Sequence, residues 1–177
     1  MGGNFTTAGG VAVNSIAKWN GTTSTWSALG AGGINGQVSA LAADGAGNLY
    51  VGGTFTFYDG DMAKVNNIAK WNGTKWSALG SGVDSPVSAL AVDGAGNLYV
   101  GGAFYYAGDV SANGLALWDG TKWSALGSGV DATVSALTVV GPGDLFAGGQ
   151  FALAGTKSSA FIGQWTKVFL NLPLILK

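Results

Sequence analysis

The chain has 177 residues and a net charge of −1, with eight lysines, nine aspartates and no arginine, glutamate, histidine or cysteine. Scattered lysines without arginine exclude a phosphate-tracking groove or a polybasic membrane patch, so nucleic acid is not an expected partner. The missing His and Cys exclude disulfides, redox thiols, the usual nucleophilic triads, and zinc and copper sites.

With 32 glycines, 11% aromatic and 10% charged residues, the composition describes short apolar strands between tight turns. No strict glycine triplet runs through it, which excludes collagen. No stretch is long enough to span a membrane as a helix. No charged segment followed by an apolar run opens the chain, so no signal peptide is read.

A repeat dominates the pattern from the first residues. Gly2-Gly3-Asn4-Phe5 returns as Gly52-Gly53-Thr54-Phe55, Gly101-Gly102-Ala103-Phe104 and Gly148-Gly149-Gln150-Phe151, at spacings of 50, 49 and 47 residues. Between these anchors Ile16-Ala17-Lys18-Trp19 recurs as Ile68-Ala69-Lys70-Trp71, Leu115-Ala116-Leu117-Trp118 and, weakly, Ile162-Gly163-Gln164-Trp165. Trp-Ser-Ala-Leu-Gly follows at 26 to 30, 76 to 80 and 123 to 127, and Val-Ser-Ala-Leu opens the next unit at 38, 87 and 134. The units span about 2 to 30, 37 to 80, 86 to 127 and 133 to 167, within one domain of residues 1 to 167.

Each unit reads as four short strands, a to d. In the unit from residue 86, strand a is Val87 to Val92, b Asn97 to Phe104, c Leu115 to Trp118 and d Lys122 to Leu126. Asp93-Gly94-Ala95-Gly96-Asn97 and Asp119-Gly120 lie between them, rich in residues that tolerate positive φ in hairpins. In the preceding unit, a two-residue type I′ turn at Asn72-Gly73 predicts Trp71 opposite Thr74 and Ala69 opposite Trp76, with both indoles on one face. The seven tryptophans are expected mainly in the core; the competing reading stands some of them exposed to stack on sugars.

Four-stranded antiparallel sheets at this period predict an all-β fold, a β-propeller of about four blades, or eight when two chains join. The Gly-Gly-x-Phe, Ile-Ala-x-Trp-Asn-Gly and Trp-Ser-Ala-Leu-Gly landmarks resemble the kelch-like, galactose-oxidase-central-domain type of propeller repeat over residues 2 to 165. The resemblance implies a binding or scaffolding surface of bacterial surface or secreted proteins, and hence an extracellular or cell-surface location. The copper ligands of the oxidase have no counterpart in a chain without His or Cys.

The carboxylates available for chemistry are aspartates alone, most at recurrent turn positions: Asp44, Asp93 and Asp144 at the a to b turn, Asp119 at the c to d turn, Asp84 and Asp131 between d and a. Turn formation accounts for them better than calcium binding at Asp44 to Asn48 and Asp93 to Asn97. Asp59 and Asp61 are the least repeat-like pair and the only opening for a glycosidase. No catalytic residue, metal ligand or cofactor is assigned.

Function is expected where the copies differ. The b to c loops diverge most, at 6 to 14, 56 to 67, 105 to 113 and 152 to 160, and share one face with the d to a loops. That face carries Tyr58, Asp59, Asp61, Asn66, Asp84, Tyr105, Tyr106, Asp109 and Asp131. Tyrosine among short polar residues is the composition of an adaptable contact surface for a glycan or a protein.

The chain opens inside strand b of its first unit, and residues 168 to 177 leave the repeat as an apolar tail. Its side chains Val168, Phe169, Leu170, Leu172, Leu174 and Ile175 are expected to pack on a blade edge or a partner. The alternatives are a self-closed ring, a homodimer, or a subunit docked on a larger assembly.

Overall fold

The computed structural model describes residues 1–30, 33–58, 64–141, 143–159 and 161–165. Among these residues every regular element is a β-strand, and no helix is long and apolar enough to cross a membrane.

The first unit holds β1 (Thr7–Ala8), β2 (Val11–Ala12), β3 (Ala17–Asn20) and β4 (Thr25–Ala28). The second holds β5 (Gly36–Ala43), β6 (Leu49–Tyr58), β7 (Lys64–Trp71) and β8 (Trp76–Ala78). The third runs β9 (Val87–Val92), β10 (Leu98–Gly102), β11 (Tyr106–Ala107), β12 (Val110–Ser111), β13 (Leu115–Trp118) and β14 (Trp123–Ala125). The last comprises β15 (Val134–Val140), β16 (Asp144–Gly149), β17 (Leu153–Ala154), β18 (Lys157–Ser158) and β19 (Ile162–Trp165).

Neighbouring strands pair antiparallel into two four-stranded sheets, β5-β6-β7-β8 and β9-β10-β13-β14, a three-stranded sheet β15-β16-β19 and the pair β3-β4. The architecture is that of a β-propeller, with strands a to d of a unit side by side in chain order. Strand a of each unit lies against strand a of the next, β5 on β9 and β9 on β15.

The paired glycines of the repeat do two separate jobs. A Cβ on the first, Gly52 or Gly101, would collide with Cγ1 of Val87 or Val134, the opening residue of the next unit's strand a. Bare backbone at this position therefore lets successive sheets stack closely. A Cβ on the second, Gly53, Gly102 or Gly149, would strike the carbonyl oxygen of Gln37, Pro86 or Thr133. The register of a and b shifts here in all three sheets, a recurrent β-bulge.

Two expectations are corrected by the register. Trp71 faces Trp76, and Ala69 faces Ala78, so the c to d connection has four residues rather than two. Asn72 accepts at Oδ1 from the N–H groups of Thr74 and Lys75, at 3.0 and 2.9 Å, and only Gly73 adopts positive φ, at 98°. A type I′ turn needs positive φ at both central residues, whereas here the Asn side chain closes the turn itself. The two indoles still share a face, now as direct cross-strand neighbours with centroids 5.1 Å apart.

The second correction concerns the b to c segments, which are hairpins rather than open loops. β1-β2, β11-β12 and β17-β18 form small ladders, and β6-β7 extends its ladder through Thr56↔Asn66, Phe57↔Val65 and Tyr58↔Lys64.

The core fills the spaces between sheets. Trp76, Trp118 and Trp123 are buried, and each buried indole removes about 150–250 Å² from water, a contribution of a few kcal/mol. Trp123 also ties two units together, donating from Nε1 to the Leu79 carbonyl at 2.9 Å. The corresponding N–H of Trp76 is buried without a partner among the described residues. Trp19, at the first unit, is 48% exposed.

Candidate functional site

The b to c hairpins and the d to a links come together on one face, and hydrogen bonds from each link fix the hairpin of the following unit. Asp84 Oδ1 accepts from the N–H groups of Tyr105 and Tyr106, at 3.0 and 3.1 Å, and its own N–H donates to the Tyr106 carbonyl. Val83 bridges Ala107, and Gly108 N–H donates to the Gly82 carbonyl at 2.8 Å. Forty-seven residues later the arrangement repeats: Asp131 Oδ1 accepts from Ala152 and Leu153, Val130 bridges Ala154, and Gly155 donates to Gly129. Asp84 and Asp131 thus stand on the expected face and hold its hairpins in place.

These bonds also set the electrostatics. The Leu153 N–H, against an opposing effect of desolvation and with further help from Ala152, holds the Asp131 carboxyl below the ordinary aspartate value. On the opposite face Asp119 is drawn down to about 2 by the Thr121 hydroxyl and by the N–H groups of Lys122 and Thr121. Asp44 and Asp93 close the a to b turns, each accepting from two backbone N–H groups and from the amide of Asn48 or Asn97. Burial raises the Asp44 carboxyl, but the Asn48 and Ala46 hydrogen bonds outweigh it and leave the group lowered.

Held by this scaffold, Tyr105 and Tyr106 stand 66% and 52% exposed, while the adjacent Phe104 is buried and anchors the hairpin. Asp109 is exposed at the hairpin tip. Beside the hairpins lie two notches at corresponding places in successive units. One, of about 360 Å³, is lined by Thr56, Lys64, Asn66, Asn67, Ser81 and Asp84. The other, of about 170 Å³, is lined by Tyr105, Asn113, Asp131 and Thr133.

Asn66 lies half-buried in the first notch, donating from Nδ2 to the Ser81 carbonyl at 2.9 Å; Asn113 does the same to Ser128 in the second, at 3.0 Å. Of the expected face residues, the structure gathers Asn66, Asp84, Tyr105, Tyr106, Asp109 and Asp131 around the hairpins and links. Asp59, Asp61 and the Tyr58 side chain lie outside the described residues, as do Val168, Phe169, Leu170, Leu172, Leu174 and Ile175 of the tail. Lys64, Asn67 and Asn113 were missed. Asn113 was findable, because it occupies the repeat position of Asn66 at the start of strand c.

Residues 67–166 match the family model described as the Rax2 C-terminal beta propeller domain. The chain belongs to this family. Membership and the all-β architecture agree on a β-propeller, while the match does not single out the kelch-like or galactose-oxidase type that the repeat resembles. No curated protein matches the chain. The Rax2-type match begins at Asn67, inside β7, and includes the Tyr105–Tyr106 hairpin with its supporting Asp84 link, and the Asp131 link of the next unit.

Proposed function

We propose that this propeller is a non-catalytic binding module, at the cell surface or outside it, which recognises a glycan or a protein through the face of b to c hairpins and d to a links. The carrying observation is the pair Tyr105 and Tyr106, exposed on a hairpin whose backbone is fixed by Asp84. Aromatic side chains on a fixed backbone have only two torsions left to order on binding. A phenol ring offers a flat apolar surface to a sugar ring or an aliphatic side chain, and its hydroxyl finds polar partners. The polar notches alongside supply amide and carboxylate groups at intervals of one repeat.

A glycosidase needs one acid with a raised value, and the Asp131 carboxyl of this face is instead held below the ordinary aspartate value by its backbone donors. The test is a glycan array and a protein pull-down with Tyr105→Ala/Tyr106→Ala against the unaltered chain. We expect affinity for any captured ligand to fall at least tenfold with an unchanged melting temperature. Undiminished binding by the double variant would sink the proposal.

The alternative, a structural subunit of a larger assembly, is favoured by a separate observation: Phe161 and Ile162 stand 66% and 67% exposed. Capture of a protein partner that survives the tyrosine substitutions would select it.

A further inference from the structure

The pair Asn-Gly occurs four times, at 20, 35, 72 and 113. Such a pair carries a reaction of its own, because the glycine nitrogen and the asparagine side-chain carbonyl are tethered to close a five-membered ring and no Cβ shields the nitrogen. The fold sorts the four. Gly114 is buried and its N–H donates to the Phe104 carbonyl at 2.7 Å, while Asn113 is tied through Nδ2 to the Ser128 carbonyl. Gly36 is locked into β5 opposite Phe55 and lies against the Thr54 carbonyl. Gly73 is the contrary case. It is exposed at the c to d turn, a Cβ there would meet nothing among the described residues within 4 Å, and its N–H donates to none of them. Asn20-Gly21 is exposed as well, in a longer turn.

The turn also prepares the Asn72 carbonyl for attack. Its Oδ1 accepts from the Thr74 N–H, the Thr74 hydroxyl and the Lys75 N–H, at 3.0, 2.9 and 2.9 Å. Three donors on one oxygen polarise the carbonyl and stand where negative charge gathers when a nucleophile adds to Cγ.

We propose that Asn72 is a self-modification site, converting to aspartate in the folded protein through attack by the backbone nitrogen of Gly73. That nitrogen gives its proton to water or hydroxide and bonds to Cγ. The Cγ–Nδ2 bond breaks as Nδ2 takes up a proton and leaves as ammonia, and a succinimide remains. Water then adds to Cγ, and the electrons of the Cγ–N bond return with a proton to the Gly73 nitrogen. One water is consumed and one ammonia released, with no oxidant or cofactor.

The third unit shows that the fold accepts the product. Asp119 stands at the repeat position of Asn72, and its Oδ1 accepts from the Thr121 N–H, the Thr121 hydroxyl and the Lys122 N–H at 2.9, 2.7 and 2.9 Å. Gly120 has φ 97° against 98° at Gly73, and Trp118 faces Trp123 as Trp71 faces Trp76. An aspartate at 72 therefore keeps every hydrogen bond of the turn and adds a negative charge beside the same Lys75 that repeats Lys122 in sequence. Held as low as Asp119, at about 2, its carboxyl stays ionised, and a carboxylate is a poor acceptor for the same nitrogen, so the reaction stops there. The c to d turns lie away from the Tyr105–Tyr106 hairpin, which the change leaves untouched.

The test ages the full-length chain at neutral and mildly alkaline pH, folded and in concentrated urea, and maps each amide-to-acid change by tandem mass spectrometry. We expect Asn72 in the folded chain to convert within tenfold of its rate in urea, faster at the higher pH, and at least tenfold faster than Asn113. Gly73→Ala should slow the change at residue 72 at least tenfold in both conditions, and Asn72→Asp should melt at the temperature of the unaltered chain. Conversion of Asn72 in urea but not in the folded chain would mean that the hydrogen bonds freeze the amide instead of activating it, and would overturn the inference. So would an undiminished rate in Gly73→Ala, or a fold lost in Asn72→Asp.

Discussion

The cross-strand tryptophan pairs show how one atom separates otherwise equal residues. Trp76 and Trp123 occupy the same repeat position and are about equally buried, yet only Trp123 donates its indole N–H to a described residue, Leu79. Replacing either by Phe removes similar apolar area, so the difference between the two variants isolates the N–H. Losing the indole donor removes one of two hydrogen bonds to the Leu79 carbonyl, which keeps the Gly82 N–H, and costs about 0.5–1.5 kcal/mol, whereas deleting an unpartnered N–H relieves a desolvation penalty. Urea denaturation should therefore find Trp123→Phe less stable than Trp76→Phe by about 1–2 kcal/mol. Asp119 gives a second prediction at this scale. Its folded value, about 2, lies below the ordinary 3.8, so its charged form favours folding fully above 3.8 and loses that contribution as pH falls through about 2. A carboxyl NMR titration should show the midpoint near 2, and Thr121→Val, which removes the hydroxyl donor, should raise it toward 3.8. The residue types at these turns were legible in the sequence. Which donor an Asn or Asp would take was not, and Asn72 accordingly closed a four-residue turn instead of a two-residue one.

Among the elements, strand b carries the clearest link from motif to packing. The Gly-Gly pair was visible as a landmark, but its two roles emerge only from what stands over each residue. Gly101→Ala drives a methyl into Val134 and Leu137, and overpacking of this kind costs about 1–3 kcal/mol. The same change at Gly148, whose nearest described neighbour is the Phe161 carbonyl at 3.6 Å, should stay within about 0.5 kcal/mol. Equal losses in thermal denaturation would refute the assigned role of the first glycine. Strands a, c and d were readable because each copy repeats the same apolar residues. The b to c hairpins were not, since ladders of two residues, such as Tyr106–Ala107 with Val110–Ser111, are too short to show alternation. The candidate face was legible as the place where the copies diverge and where tyrosines gather. The task of Asp84 and Asp131 was hidden, because both partners of each carboxylate are backbone N–H groups of the next unit, some twenty residues away.

For the whole molecule, stability follows from nearest-neighbour contacts in a row of units. The third unit is covered on both sides, by Gly52 and Leu79 of the second and by Val134 and Leu137 of the fourth. Among the described residues the first unit contacts the second and the fourth contacts the third, and Trp19, Phe161 and Ile162 are exposed there. Amide hydrogen exchange should accordingly be slowest in β9, β10 and β13, which described interfaces hold on both sides, and faster in β3–β4 and β16–β19. Gly101→Ala weakens only the interface between the third and fourth units. It should speed exchange in β15, β16 and β19 at least fivefold while leaving β5–β8 within twofold of the unaltered chain. Uniform acceleration across all four units would instead mean that the propeller opens as one cooperative block. In that case the interface hydrogen bonds from Asp84, Asp131 and Trp123 join the units too tightly for nearest-neighbour behaviour.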